Sequence, residues 1–326
     1  MKSSFHTRLL NGPFDDPGLY VRIIREGRAL MFDLGFTTSL SPGDILKTTD
    51  IFVSHTHIDH FIGFDNILRV SLKKEGPLRF YGPKGFINCV EGKLRSYTWN
   101  LIGEYPLVIQ VAEVEDKLIR KTLFRAKNFF RREDLKTEPF YGPLMKDSFY
   151  SVSAVILDHR IQCLAFSLEE DCHINIDKAE LGRLNLPVGP WLRELKMAIR
   201  ENRDDKVFTI NGKTYAFSEL RNAANITRGQ KISYVVDAAG SEENIEKIVN
   251  LARGSDVLYI ETCFSDEDRD RAKDRYHLTA KEAGRIAGEA GAGRLEAIHF
   301  SPRYMNDPER LVQEAKEEFN SSRGNS

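Results

Sequence analysis

The chain has 326 residues, 41% hydrophobic and 29% charged, which suits one large globular domain or two ordinary ones. Lys+Arg number 47 and Asp+Glu 48, and the resulting net charge of −1 argues against a uniformly basic nucleic-acid coat protein while leaving room for a local basic patch. No apolar run approaches the ~20 residues that span a bilayer, Met1 to Thr7 carries no signal-peptide core, and Cys89, Cys163, Cys172 and Cys263 form no CxxC pair. Membrane and secreted classes are therefore excluded, and reduced thiols in a cytoplasmic protein are expected.

Taken in chain order, β-rich runs come first at Leu19–Arg25, Ala29–Asp33 and Ile51–Ser54. A helix is predicted from about His60 to Lys73, where Phe61, Phe64, Ile67, Leu68 and Leu72 recur at helical spacing. Strand-like Leu78–Tyr81 leads into Gly82-Pro83-Lys84-Gly85 and a second helical stretch. Further strands are predicted at Leu107–Val111, Val152–Leu157, Gln162–Leu168, Ile232–Asp237, Asp256–Ile260 and Arg294–His299. Helices are predicted at Glu242–Leu251, at Thr279–Ala290 and after Pro308, and Ser321–Ser326 reads as a tail. Strands dominate the first half and alternate with helices at the rear of the second, so helices should cover the outer faces of sheets.

Residues 182–231 interrupt this scheme with ten Lys/Arg against five acids, +5, which leaves −6 for the rest of the chain. Arg193, Lys196, Arg200 and Arg203 would line one basic stripe of a helix, beside an apolar stripe of Leu192, Leu195 and Ile199. Asn211-Gly212, between Val207–Ile210 and Thr214–Phe217, signals a hairpin. The domain reading is thus a first half at 1–181, an inserted helix-plus-hairpin arm at 182–231, a second half of the same domain at 232–320 and a tail at 321–326. A second basic run, Lys117 to Arg132, has seven Lys/Arg and no acid, with Phe124, Phe129 and Phe130 interleaved. It is read as a strand and loop whose phenylalanines enter the core and whose charges face water. Gly288 to Gly293 follows a helix pattern and precedes a strand, the reverse of a nucleotide fingerprint, so it reads as a helix stop.

Chemistry concentrates in Ser54-His55-Thr56-His57-Ile58-Asp59-His60, a His-x-His-x-Asp-His pattern directly after an apolar strand. In an extended stretch His55, His57 and Asp59 would point the same way, with His60 arriving from another direction as it opens the following helix. Three imidazoles and a carboxylate so close together are suited to zinc or a related divalent ion.

The same four residues recur across the metallo-β-lactamase superfamily, which this sequence resembles over nearly all its length. The resemblance implies an αββα sandwich with a dinuclear metal site at the sheets' edge, and it requires three more ligands. His159, Asp237 and His299 each stand just past an apolar β-rich run, in the expected chain order. By resemblance His55, His57 and His159 bind one ion, Asp59, His60 and His299 bind the other, and Asp237 bridges them. Asp33, in Phe32-Asp33-Leu34-Gly35, matches the early aspartate that orients the ligand loop. Two such ions, zinc foremost with manganese and iron also tolerated, can hold a bridging hydroxide and clamp the attacking and leaving oxygens of a hydrolysis.

Four segments resemble the ribonuclease Z family, the endonucleases that trim precursor tRNA 3′ ends. They are Tyr81-Gly82-Pro83-Lys84-Gly85, Leu186-Pro187-Val188-Gly189-Pro190 with Trp191, His277-Leu278-Thr279-Ala280, and His299-Phe300-Ser301-Pro302-Arg303-Tyr304. The resemblance implies a phosphodiesterase of αββα fold whose projecting arm (Gly189, Pro190, Arg193, Lys196, Arg200 and Arg203) grips the tRNA body. It implies that Asp59 serves as proton acceptor as well as ligand, and that His277 stabilises or protonates the leaving 3′-oxygen. It also implies a homodimer in which one subunit's arm serves the other's active site. His173, in Asp171-Cys172-His173, is surplus to the ligand set and is read as surface or structural.

The chain departs from the family pattern at Leu34-Gly35-Phe36-Thr37-Thr38-Ser39, at Ile260-Glu261-Thr262-Cys263, at Leu9-Leu10-Asn11-Gly12-Pro13 and at Cys163-Leu164-Ala165-Phe166-Ser167. None of these is a metal ligand. They leave open a hydrolase of the same fold acting on a small phosphodiester such as a cyclic nucleotide, or on another ester, and a non-catalytic RNA-binding protein that keeps the metals for stability.

Overall fold

The computed structural model describes residues 3–24 and 26–323. The chain opens with β1 (Phe5–Leu9), β2 (Leu19–Ile23) and β3 (Arg28–Phe32) as an antiparallel meander. Helix α1 (Pro42–Lys47) leads to β4 (Thr48–Phe52), which pairs parallel to β3. Helices α2 (Ile58–Phe61) and α3 (Phe64–Ser71) connect to β5 (Pro77–Pro83), and α4 (Phe86–Arg95) connects to β6 (Val108–Glu115), both strands again parallel to their predecessors. Antiparallel β7 (Leu118–Arg125), β8 (Arg132–Asp134) and β9 (Glu138–Pro139) complete the first sheet.

Next come β10 (Pro143–Lys146), β11 (Tyr150–Asp158) and β12 (Gln162–Glu170). An inserted stretch then carries β13 (His173–Ile176), α5 (Lys178–Arg183), α6 (Trp191–Arg200), β14 (Val207–Ile210), β15 (Lys213–Ala216), α7 (Phe217–Leu220) and β16 (Ala224–Thr227). The chain closes with β17 (Lys231–Val235), α8 (Glu242–Ala252), β18 (Val257–Glu261), α9 (Arg269–Arg275), α10 (Ala280–Glu289), β19 (Leu295–Ile298) and α11 (Pro308–Arg323). The second sheet runs β10-β11-β12-β17-β18-β19, with β17, β18 and β19 parallel. Among the described residues, no helix is long and apolar enough to cross a membrane.

Two compact units result, one of residues up to Leu144, Ser153–Ser167 and from Lys231 onward, the other of Met145–Val152 and Leu168–Gln230. In the first, strand alternation sorts side chains between two layers. Ala29, Met31, Ile51 and Phe80 join Phe64, Ile67 and Leu68 of α3 and Phe86 and Val90 of α4 in one outer core. Val235, Leu258 and Ile260 join α8, α10 and α11 in the other. Between the sheets, Phe32 packs on Phe52, Phe166 and Tyr234 with ring centroids 5.2, 5.7 and 5.8 Å apart. This is the αββα sandwich that the resemblance implied.

The second unit has its own apolar cluster, in which Leu195 and Ile199 of α6 meet Trp191, Phe208, Phe217 and Leu220. It begins earlier than the 182 read from charge, because Ile174 of β13 and Leu181 of α5 enter the same cluster. The hairpin forms as its turn residues dictate, Asn211 and Gly212 adopting φ 51° and 78°. Arg203 lies past the end of α6. Arg193 faces solvent, whereas Arg200 is half-buried, its guanidinium 4.4 Å above the Phe149 ring and 3.8 Å from Glu170. Arg200 and Arg203 therefore do not extend the helical stripe expected of them.

Other expectations also shift. The helix predicted over His60–Lys73 is two helices, because α2 and α3 break at Ile62-Gly63. A Cβ on Gly63 would lie 2.3 Å from the Gly35 carbonyl oxygen, so only glycine lets these segments approach. The strand predicted at Leu19–Arg25 ends at Ile23, and Arg25 lies outside the described residues. Ser321–Arg323, read as tail, close α11, and residues 324–326 lie outside the described residues. In the second basic run Phe124 and Phe130 are buried but Phe129 is exposed. Four of its seven cations, Arg120, Lys121, Arg125 and Arg132, pair with acids outside the run, which offsets part of the charge that makes the segment look basic.

Candidate metal centre

The ligand-type residues converge on the carboxylate of Asp237, which follows β17 and is buried. His55 Nε2 and His60 Nε2 lie 3.2 and 3.3 Å from its Oδ2, His159 Nε2 lies 3.6 Å from the same oxygen, and His299 Nδ1 lies 3.0 Å from Oδ1. His55 and His57 occupy the extended loop after β4, and His57 is the N-cap of α2. Asp59 and His60 both belong to that short helix, so the extended register expected to reach Asp59 stops at His57, and His60 lies inside the helix instead of opening it.

Two sets of ligand atoms lie within 4.8 Å of one another, His55, His57, His159 and Asp237 in one, Asp59, His60 and His299 in the other. Asp237, Glu261, His277 and His299 form a third. The third set is the poorest candidate, because the Glu261 oxygens already accept from the Ala238 and Leu278 backbone N–H groups and face His277 Nδ1 at 2.7 Å. Among the described residues, His55 Nε2 of the first set and His60 Nε2 of the second are buried close to carboxylate oxygens but in no well-formed hydrogen bond, as are Asp237 Oδ1 and His299 Nδ1, which face each other. Buried polar atoms left unpaired are costly, and cations held by the first two sets would satisfy His55 and His60. The donor set, imidazole nitrogen and carboxylate oxygen, fits such an ion.

Outer partners fix which nitrogens face the centre. His159 Nδ1 donates to the Tyr276 carbonyl at 2.7 Å, and His60 Nδ1 donates to Asp33 Oδ2 at 2.9 Å, so the neutral, ion-binding form of each presents its lone pair at Nε2. Asp33 also accepts from the Ser54 backbone N–H at 2.6 Å, the Ser54 hydroxyl at 2.9 Å and the Tyr234 hydroxyl at 3.1 Å. Asp33, Asp237 and His299 all adopt left-handed backbone, φ 56°, 51° and 57°, where each leaves or follows a strand.

Electrostatics divide the histidines. Burial pulls the His55 and His57 imidazoles down. Burial also opposes charge on His60 and His299, but Asp237 outweighs it and holds both well above the usual imidazole range. His277, in the turn between α9 and α10, is likewise opposed by burial, yet the Glu261 carboxylate raises it to about 11. The same partnership, against burial, draws Glu261 down to about 2.

Glu261, within the Ile260-Glu261-Thr262-Cys263 departure from the family pattern, joins the centre only through the fold, which sets its carboxylate 2.7 Å from His277. Its signal was an acid closing an apolar strand. Two clefts open on the centre, one of about 420 Å³ lined by Asp59, His277 and His299, the other of about 500 Å³ lined by these and by His57, His159 and Asp237.

The remaining singled-out residues belong elsewhere. Gly189, Pro190, Arg193, Lys196, Arg200 and Arg203 lie in the second unit. There the Trp191 indole donates to the Pro187 carbonyl at 2.9 Å and braces the Gly189-Pro190 turn. His173 packs in that unit with Glu170 and Asn175. The Tyr81-Gly82-Pro83 segment ends β5, where a Cβ on Gly82 would strike the Phe86 ring.

No protein-family model matches the chain. Ribonuclease Z of Deinococcus radiodurans is 30% identical over 302 residues, covering 90% of this chain and 89% of that one. Ribonuclease Z of Nanoarchaeum equitans is 30% identical over 297 residues, covering 88% and 79%. Among solved structures, human tRNase Z, short form, superposes with a TM-score of 0.55 at 21% identity over 91% of this chain and 93% of that one. The metallo-β-lactamase fold protein YhfI from Bacillus subtilis gives 0.53 at 15% identity over 96% and 92%. At these identities the structural likenesses speak for the fold, and the sequence relatives for the family.

Proposed function

The chain belongs to the ribonuclease Z family, and from that premise we propose that it is a metal-dependent endoribonuclease that removes the 3′ trailer of precursor tRNA. The observation that carries this reading is the pair of ligand sets around Asp237 with the His277–Glu261 pair beside them. His55, His57 and His159 would hold one ion, Asp59, His60 and His299 a second, with Asp237 between them; zinc suits these donors, and manganese and iron tolerate them. When bound, such ions supply Lewis acidity toward the phosphodiester and a water acidic enough to attack at neutral pH.

The protein's own groups do the rest. Asp33 holds His60 in the tautomer that leaves Nε2 available. Asp59, at the rim of both clefts, accepts the proton released in the attack. His277, kept charged by Glu261, donates a proton from its other nitrogen to the departing 3′-oxygen. Glu261 acts through His277 and is a positioning residue.

Exposed Arg193 and the braced Gly189-Pro190 turn support a tRNA-gripping role for the arm, with Lys196 and Arg203 as further cations. Phosphate contacts of this kind fix the substrate's position without reading its sequence. The homodimer, with one subunit's arm serving the other's site, belongs to the same proposal. Four free cysteines support a reducing, cytoplasmic setting.

The test is incubation of the metal-loaded protein with labelled precursor tRNA bearing a 3′ trailer, alongside Asp59→Ala. A single cut after the discriminator base, absent in the variant, is expected. Metal-dependent turnover of bis(p-nitrophenyl) phosphate with no cut in the tRNA would mean a small-phosphodiester hydrolase, and no turnover of either a non-catalytic binder.

A further inference from the structure

Helix α9 lies immediately before the turn that carries His277. Its Arg269 is accounted for, since its guanidinium donates to Asp266. Arg271 and Arg275 are not, because among the described residues neither forms an ion pair, a hydrogen bond or a ring contact, and both are exposed. They stand at i and i+4, so they share one face of the helix with Cβ atoms about 5–6 Å apart. Like charges so placed repel, which mildly destabilises the helix.

Their position makes that arrangement informative. Arg271 and Arg275 both line the 420 Å³ cleft beside Asp59, His277 and His299, and among the described residues no other arginine or lysine does. Arg275 also lines the 500 Å³ cleft, where it is joined by Arg160. The acids Asp15 and Asp16 line the first cleft and Asp274 the second. Without the two arginines an incoming phosphodiester would meet acids on its way to the centre.

We propose that Arg271 and Arg275 form a phosphate clamp that grips the RNA backbone at the phosphates flanking the scissile one. This rests on the ribonuclease reading of the centre. Guanidinium forks suit the task because they match phosphate oxygens in a bidentate manner. A spacing of one helical turn lets the two serve successive phosphates of a strand threaded past His277. The clamp reads no bases; it holds the register of the strand over the cutting site. Arg160, whose guanidinium lies 5.0 Å above the Tyr276 ring, is braced by that ring and by its place in the β11–β12 turn, so the clamp is assigned to the free pair.

The test is Arg271→Gln/Arg275→Gln in the metal-loaded full chain. Its kcat/KM for precursor tRNA should fall about tenfold or more, and should fall relative to its kcat/KM for bis(p-nitrophenyl) phosphate, which has no flanking phosphate. Binding of a short unstructured RNA, measured in an Asp59→Ala background to block turnover, should lose salt dependence by about 0.7 in slope for each phosphate contact removed. Replacing the flanking phosphates of the substrate by neutral methylphosphonates, next to 2′-O-methyl sugars, should slow the parent enzyme and leave the double variant little affected. Equal sensitivity of the two proteins to that replacement, with an unchanged salt slope, would overturn the clamp. If the parent enzyme fails to cut precursor tRNA at all, the ribonuclease reading fails instead, and the oligonucleotide salt slope still decides the clamp.

Discussion

Asp33→Asn is the perturbation that tests most sharply how the metal centre is organised. The Asp33 side chain is fully buried, and its Oδ2 accepts from His60 Nδ1, the Ser54 hydroxyl and the Tyr234 hydroxyl, while Oδ1 accepts from the Ser54 backbone N–H. Asparagine keeps one acceptor and puts an NH₂ donor on the other position. If that NH₂ faces His60, the hydroxyls can rotate to accept, but the imidazole must surrender its Nδ1 proton and carry one on Nε2. A protonated Nε2 cannot bind a cation. If the amide flips, the NH₂ faces the Ser54 N–H instead, a buried donor against a donor that costs about 1–3 kcal/mol. The first outcome should weaken the ion held by Asp59, His60 and His299 by about 10–100-fold. That is about 1.4–2.7 kcal/mol of binding free energy. The His55, His57 and His159 set is reached only indirectly, through the Ser54 hydroxyl 3.1 Å from His55 Nδ1, and should change less. Calorimetric titration of the stripped protein with zinc, before and after substitution, separates the two steps, and thermal unfolding without metal reads the cost of the flipped amide. A variant of unchanged melting temperature that takes both ions with parental affinity would refute the tautomer argument.

Four further outcomes follow from the same geometry. Glu261→Gln removes the charge that holds His277 protonated, so kcat on precursor tRNA should fall by about a hundredfold or more while metal stoichiometry is retained; quench-flow cleavage with metal analysis checks both. Gly63→Ala must displace the Gly35 carbonyl, and about 1–3 kcal/mol of destabilisation should appear as a lower melting temperature. Arg193→Ala/Lys196→Ala should weaken precursor tRNA binding and flatten its salt dependence by about 0.9 in slope per duplex phosphate contact. Arg200→Ala should instead lower stability through lost packing on Phe149, seen by denaturant unfolding.

The parts of this molecule legible in its sequence were those where a short-range pattern meets a strong local rule. His55-Thr56-His57-Ile58-Asp59-His60 announced a cation site because no ordinary loop needs so many imidazoles. Asn211-Gly212 announced its hairpin because both positions take positive φ. What stayed hidden depended on partners distant in the chain. The break between α2 and α3 is set by Gly35 meeting Gly63, and periodicity through Phe61, Phe64, Ile67 and Leu68 runs straight across it. Arg200 kept perfect spacing for a basic stripe, but Phe149 and Glu170 draw it inward. Glu261 stands in the sequence only within a departure from the family pattern, and its pairing with His277 exists only in the fold.

The left-handed backbone at Asp33, Asp237 and His299 bears on how this protein can evolve. A residue with a Cβ gives up roughly 1–2 kcal/mol in that conformation, least for aspartate, and glycine gives up almost none. Glycine would relieve that strain, but at residue 33 it would strand His60 Nδ1, both Ser54 donors and the Tyr234 hydroxyl without their buried acceptor, at about 1–3 kcal/mol each. The side chain therefore more than offsets the backbone it is forced into, and Asp237 and His299, facing each other at 3.0 Å, are tied down in the same way. A library screened for survival on heating and one screened for cleavage should both hold these three residues fixed and seek stability elsewhere, so the strained corners of the centre are places where fold and chemistry cannot be selected apart.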